Sequence, residues 1–323
     1  MILAYHRIAE DPTDAELLCV TPARFEMQLQ ILSQLLSPID LPSLLRRIEL
    51  GKSCAGMVAI TFDDGYRDVL FNAVPLLRKY GIRATCFITS GYIGNPNGFL
   101  SDQVERMFFT NSRLCDDRLR SLIHKSGPIA PHEIIHLYDD IQRRLRKLRP
   151  AQKSREFRKL STLLDHSGRG MPNRSVLTKK QLVALSADMD IGAHSVTHSM
   201  LSMLSYRHQT QEIQRSKDAI EHLLGHSIEH FAYPYGTPDS FSEHTANSCM
   251  SAGFAAAFTT NPSNNLRAAQ SFCMPRFVIR NYSLRQFEHL ITTGTFPVSQ
   301  VEARRQRNLR LLRAIKAQQR PQA

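Results

Sequence analysis

Three short segments carry residue types that could do hydrolytic chemistry. "AITFDDGY" (59–66) sets Asp63 and Asp64 side by side at the end of an apolar run, with Gly65 behind them. "GAHSVTH" (192–198) places His194 and His198 four residues apart, again directly after a strand-like run. "FAYPYGTPD" (231–239) ends its run in Pro234, Tyr235 and Gly236. Each has an ordinary reading as well. Asp-Gly and Pro-Tyr-Gly are turn sequences, and thirteen histidines make a chance pair at this spacing unsurprising. Their position at strand ends supports a sharper one. Two imidazoles four residues apart can aim at one point if the residues between them turn tightly. With one carboxylate, which Asp64 can supply, they leave a fourth position for water, as in a catalytic rather than a structural zinc site. A stiff loop at 234–236 can fix a backbone N–H toward a developing oxyanion.

The elements that must position these residues are legible as short, unalternating runs rich in β-branched and aromatic residues: "ILAYH" (2–6), "MVAITF" (57–62), "ATCFIT" (84–89), "MDIGAH" (189–194), "HFAYPYG" (230–236), "FAAAFTT" (254–260) and "FVIR" (277–280). Runs of this kind are buried parallel strands. Helical patterns lie between them. "AVPLLRKYG" tolerates Pro75 in a first turn and stops at Gly81, and "QEIQRSKDAIEHLLG" puts Ile213, Ile220, Leu223 and Leu224 on one face before Gly225. The alternation predicts an α/β fold whose seven or so strands curl into a closed or nearly closed (β/α) barrel, with the site in the loops after the carboxyl ends of the strands. Residues 101–180 break the rhythm with stretches such as "DDRLRSLIHK" and "YDDIQRRLRKLRPAQKSREFRKLSTLL" and read as a helical insertion. The expected organisation is a barrel over 1–292 that includes this insertion, followed by a basic tail over 293–323.

Composition bounds the partners. With 323 residues, 42% of them hydrophobic, the chain can bury one large core. The net charge of +12 is uneven: residues 101–180 hold 18 Lys/Arg against 9 Asp/Glu, and residues 302–323 hold 7 against 1. Basicity thus belongs to the insertion and the tail rather than to the motif-bearing segments. It points to peripheral contact of the tail with a polyanion or a membrane surface. The basic runs lack interleaved aromatics and any nucleic-acid motif, so no specific nucleic-acid binding is expected. No apolar stretch approaches the length of a membrane span, and the opening residues reach His6 and Arg7 before a signal-peptide core could form, so the chain as written reads as cytoplasmic. A signal on an upstream segment would change that. Six scattered cysteines without a C-x-x-C pair read as reduced packing residues.

In that order and each at a strand end, "TFDDGY", "HSVTH" and "YPYG" resemble the motifs of the polysaccharide deacetylases, the NodB-homology carbohydrate esterases of family four. The resemblance spans about residues 1–292. It implies a distorted (β/α) barrel, a divalent metal, zinc foremost, and removal of N-acetyl or O-acetyl groups from amino-sugar polysaccharides. By matching positions, it makes Asp63 the general base and Asp64, His194 and His198 the metal ligands, and it assigns the Tyr235 backbone N–H to the oxyanion. Adjacent carboxylates then have a purpose, since one binds the metal and the other takes a proton, and a single group cannot do both.

Two departures from the family pattern matter. Ala232 stands where the family carries an arginine that orients the base, and Arg276 in "MPRFVIR" resembles the Pro-Arg segment of members lacking that arginine. No apolar strand after Phe277 leads into a histidine; "ILAYH" at the start has that form and resembles a permuted branch in which the last motif opens the chain. His6 then inherits the role of general acid. His289 in "RQFEHLI" is the rival, although it sits in a helical pattern, and His6 also fits a residue that merely caps the first strand. An alternative within the same fold is an amidase or deformylase acting on a small or lipid-linked molecule; a closed pocket would favour it, and a groove would favour a polymer.

Overall fold

The computed structural model describes residues 1–110, 119–120, 122, 129–164 and 176–318, which group into two compact units. Of the helical reading "DDRLRSLIHK", all but three residues lie outside the described residues, as does Cys115.

The first unit comprises residues 1–10, 18–96 and the described part of 175–297. Its main sheet is wholly parallel and is built from β1 (Ile2–Tyr5), β4 (Ser37–Pro38), β5 (Met57–Phe62), β6 (Thr85–Ile88), β7 (Asp190–Ala193), β8 (His230–Ala232), β9 (Ala256–Phe258) and β10 (Phe277–Val278). Seven strands follow the order β10-β1-β5-β6-β7-β8-β9, and β4 adds to the start of β5. A separate parallel pair joins β2 (Arg7–Ile8) to β3 (Cys19–Val20). The far edge curls back: Phe258 bridges to Met274, just ahead of β10, with Thr259 N donating to Met274 O and Met274 N to Ala257 O. The predicted α/β barrel of about seven strands is therefore present in distorted form. Two crowded rings fill part of the inside: Phe87 and Phe258 lie 5.4 Å apart, both fully buried. Gly192 on β7 makes room for them, since a Cβ there would sit 2.5 Å from the Phe87 ring.

The helices follow from local chemistry. Thr21 caps α1 (Pro22–Leu35) and Asp40 caps α2 (Leu41–Glu49) by accepting from backbone N–H groups of the first turn, and both helices carry proline in that turn. After β5 the chain makes a widened π turn over Val69–Ala73 before α3 (Val74–Lys79). Pro75 lacks an N–H and crowds the carbonyl of the preceding turn, which accounts for the widening.

The second unit comprises residues 11–17 and the described parts of 97–174 and 298–323. Its helices include α4 (Leu100–Phe109), α5 (Pro131–Arg146) and α6 (Pro150–Leu163), the last two separated where Pro150 starts a new helix. Their core stacks Phe108 and Phe109 on Tyr138, with ring centroids 5.9 and 4.9 Å apart. Leu311 and Ile315 of the C-terminal helix Gln300–Gln318 are buried in the same cluster. Arg307 of that helix forks onto Asp139 at 2.7 and 2.9 Å, and Arg310 lies 3.6 Å from Asp14. Part of the tail's charge is thus neutralised within the unit. No helix among the described residues is long and apolar enough to cross a membrane.

The remaining helices of the first unit flank and separate β7 to β10. α7 (Lys179–Ser186) precedes β7, α8 (Tyr206–Leu224) follows it, α9 (Glu243–Ser251) follows β8 and α10 (Leu284–Thr293) follows β10; the C-terminal helix is then α11.

Candidate active site

Because the sheet is parallel, the residues that follow β1, β5, β7 and β8 share one end of the barrel, and the singled-out residues other than Arg276 and His289 stand there. Asp63 and Asp64 follow β5, His194 follows β7, and Tyr235 lies three residues beyond β8. His6 follows β1. Since Tyr5 pairs with Phe62 and Asp63 N donates to Tyr5 O at 2.9 Å, His6 stands beside Asp63. Arg276 is the exception in origin, as it enters from just before β10 at the level of Ile2 and runs up the barrel interior. Its guanidinium lies 5.3 Å from the centre of the Phe87 ring and 5.9 Å from that of Phe258.

The turn after β5 separates the two carboxylates. Asp64 has φ 77° and Gly65 φ 82°, so two successive left-handed residues reverse the chain, with Gly65 N donating to Asp63 O at 3.0 Å. Asp63 turns into the barrel, where Arg276 grips both of its oxygens at 2.7 and 2.8 Å; the arginine is fully buried. The same guanidinium donates to Thr61 Oγ1 and Thr259 O, so its donors are shared among three fixed acceptors. Burial pushes the Asp63 carboxyl up, but the charges of Arg276 and His194 outweigh it, and the group stays below the usual carboxylate range.

Asp64 faces the histidines instead. Its Oδ1 lies 3.1 Å from His198 Nε2 and 3.5 Å from His194 Nε2. Among the described residues, these three are the one group of His, Cys, Asp or Glu that could hold a metal ion, with ligand atoms within 4.8 Å of one another. His194 is fixed from behind: its Nδ1 lies 2.7 Å from Ala232 O, which requires Nδ1 to carry the proton and leaves the Nε2 lone pair toward Asp64. Burial pushes the His194 imidazole down to about 4, so it is neutral near pH 7, the form that binds metals. Burial pushes Asp64 up, while His198, His6 and His194 pull harder and hold it well below the ordinary carboxylate range.

One detail tests whether a cation fits. Asp64 Oδ1 is buried and has no hydrogen-bond partner, although two ring nitrogens converge on it. Buried acceptors are nearly always satisfied, and electron-rich atoms at this spacing oppose one another unless a positive charge lies among them. A two-histidine, one-carboxylate set is a suitable donor set for zinc or a similar divalent ion. The residues fit the group.

The remaining residues fall on either side. His6 acts electrostatically on both Asp63 and Asp64, and its Nδ1 is buried without a hydrogen bond. Tyr235 has φ 65°, its carbonyl accepts from Thr260 Oγ1 at 2.8 Å, and its ring lies 5.0 Å from that of His198. His289 is not brought to the site. It lies in α10 on an exposed contact, 3.1 Å from Thr295 Oγ1.

Sequence reasoning missed the parts that hold the histidine loop. Glu212 of α8 accepts from Val196 N, Thr197 N and Thr197 Oγ1 at 2.8–3.0 Å, and Ser195 Oγ accepts from His198 N at 3.1 Å. In the sequence Glu212 is one charge on a polar helix face, and nothing in its neighbourhood signals the role. Backbone strain is also concentrated here. Of the six non-glycine residues described with positive φ, four belong to this site: Asp64, Ser195 at 63°, His198 at 51° and Tyr235. Each costs of the order of 1–3 kcal/mol and persists only where its surroundings over-determine it.

Comparison with known proteins meets this geometry. A family model described as polysaccharide deacetylase matches residues 51–115 and 174–257, a span that contains Asp63, Asp64, His194, His198 and Tyr235 but neither His6 nor Arg276. A curated relative, the putative polysaccharide deacetylase YxkH of Bacillus subtilis, is 34% identical over 110 residues, which is 33% of this chain and 37% of that protein. Among solved structures, the Streptococcus pyogenes deacetylase PplD in complex with acetate superposes with a TM-score of 0.59 at 20% identity, covering 91% of this chain and 97% of that one. IcaB from Ammonifex degensii gives 0.58 at 16% identity, with 91% and 96% covered. These structural likenesses concern the fold, while the matched segments bracket the aspartate pair and the histidine pair that the barrel brings together. The chain carries a polysaccharide deacetylase domain.

Proposed function

We propose that the protein is a metal-dependent hydrolase that removes N-acetyl groups from a glycan containing N-acetylated amino sugars. One observation carries the reading: Asp64, His194 and His198 converge at the barrel mouth beside a second carboxylate, Asp63, that is held apart from them by a buried arginine. Asp64, His194 and His198 would hold the divalent ion, zinc foremost, which polarises a bound carbonyl and acidifies bound water. The chain's own groups do the rest. Asp63 is kept ionised and aimed by the Arg276 fork, and it accepts the proton lost by the attacking water. The hydrogen bond from His194 Nδ1 to Ala232 O keeps that imidazole in one tautomer. The Tyr235 backbone N–H supports the charge that develops on the acetyl oxygen. His6, across the strand pair from Asp63, delivers a proton to the departing amine.

The test is metal analysis coupled to acetate release from N-acetylated oligosaccharides. His194→Ala and His198→Ala should each lose metal and activity together, because each removes one of three protein ligands. Full metal occupancy in both variants would contradict the assignment. A second comparison addresses the acid. His6→Ala should retain metal while acetate release falls about 10²–10⁴-fold, the usual contribution of a general acid, and His289→Ala should behave as wild type. An active His6→Ala protein beside an inactive, metal-loaded His289→Ala protein would reverse the assignment.

A further inference from the structure

An aromatic pair near the site has no part in the chemistry above. Tyr206 opens α8 and His244 stands in the first turn of α9, and their rings stack with centroids 4.1 Å apart and planes 27° from parallel. Tyr206 is 68% exposed, more than any other large aromatic side chain among the described residues. An aromatic face held flat and left in water offers a platform for a ligand with a flat apolar face, and its place relative to the site is what gives it meaning.

Its place is defined by the topology. In a barrel of parallel strands, each helix that follows a strand begins at the strand's carboxyl end, so the first turns of α8 and α9 lie on the face that holds the site. Tyr206 lies eight residue steps beyond His198, a reach of at most ~29 Å fully extended, and a 3₁₀ turn over Leu201–Met203 shortens it. The connector from Tyr235 to His244 runs beside it: Ser202 N donates to Ser240 O at 3.1 Å and Ser202 Oγ to Asp239 O at 2.6 Å. Two laced loops therefore lead from the His198–Tyr235 ring contact at one end to the Tyr206–His244 stack at the other. Half-exposed Met203 lies on the way.

We propose that the Tyr206–His244 stack is a sugar-binding subsite, which takes the C–H face of a pyranose ring some units along the chain from the acetylated sugar at Asp63 and Asp64. The inference rests on the deacetylase reading and deepens it, because it makes the substrate an oligomer or polymer rather than a small amide. A pyranose presents an apolar face of axial C–H groups ringed by hydroxyls, and such a face packs flat on an aromatic ring. The stack is sequence-distant and rigid, since His244 backs Tyr206 and Thr210 Oγ1 contacts Ser248 Oγ at 3.1 Å one turn further along both helices.

The experiment measures acetate release from N-acetylglucosamine oligomers, from dimer to hexamer, by the wild type, Tyr206→Ala and Tyr206→Phe. Tyr206→Ala should raise KM for the hexamer about 2–10-fold, with kcat unchanged and the dimer unaffected. Tyr206→Phe keeps the ring and should match the wild type. An equal effect on dimer and hexamer, or no effect on the hexamer, would overturn the subsite. Absence of acetate release by the wild type from every oligomer would count against the deacetylase reading instead. Equilibrium binding of the hexamer then decides the subsite by itself: weaker binding by Tyr206→Ala than by wild type upholds it, and equal or absent binding overturns it.

Discussion

Asp63→Asn is expected to release acetate about 10²–10⁴-fold more slowly than the wild type while retaining its metal, whereas Asp64→Asn is expected to lose both metal and activity. The two aspartates are adjacent in the chain and chemically identical, so what separates them is the turn between them and what each faces. Asp63 gives both oxygens to Arg276 at 2.7 and 2.8 Å, and Asp64 gives Oδ1 to the two histidines. An amide at position 63 keeps the shape and one acceptor oxygen but cannot take a proton. At position 64 it removes the negative charge that two imidazoles surround. The measurements are metal content of the purified proteins and acetate release from one oligosaccharide. Loss of metal by Asp63→Asn together with retention by Asp64→Asn would exchange the two roles.

Arg276→Leu is expected to destabilise the folded protein by about 3–5 kcal/mol, a range typical of breaking one partner of a buried ion pair. The guanidinium is fully buried, and Asp63 is 2% exposed, so the carboxylate would be left charged and unpaired inside the barrel. Arg276→Lys should not restore the loss, because a single ammonium cannot serve both Asp63 oxygens, Thr61 Oγ1 and Thr259 O from one position. Combining Arg276→Leu with Asp63→Asn should recover part of the stability, since the stranded charge is gone, and the non-additivity measures the pair directly. Denaturant unfolding of the wild type, the three single variants and the double variant is the check. Strict additivity would show that the two side chains do not depend on each other.

Much of the fold was legible because buried parallel strands leave a plain signature. Six of the seven quoted runs coincide with strands of four, six, four, four, three and three residues in the sheet, and "FVIR" shrinks to Phe277–Val278. Three runs are longer than their strands because they continue into a loop that carries a site residue: "ILAYH" ends in His6, "MDIGAH" ends in His194, and "HFAYPYG" ends in Tyr235 and Gly236. Charge dominates the C-terminal segment, and nothing in its pattern says what surface buries Leu311 and Ile315 in the second unit. A cationic helix with two apolar residues four apart is ambiguous until the surface it meets is known.

The sequence by itself determined the chemistry available: an Asp-Asp-Gly turn, a His-x-x-x-His loop and a Pro-Tyr-Gly turn, each at the end of an apolar run, because short-range pattern reports strand ends and turns. Only the tertiary structure decided which groups meet. Arg276 and Asp63 are far apart in the chain and pair only when β10 takes its place beside β1, and Glu212 holds the histidine loop only once α8 packs behind it. The division of labour between Asp63 and Asp64 has the same origin, since identical side chains on adjacent residues are aimed apart by the turn at Asp64 and Gly65 and then meet what the curled sheet places opposite each.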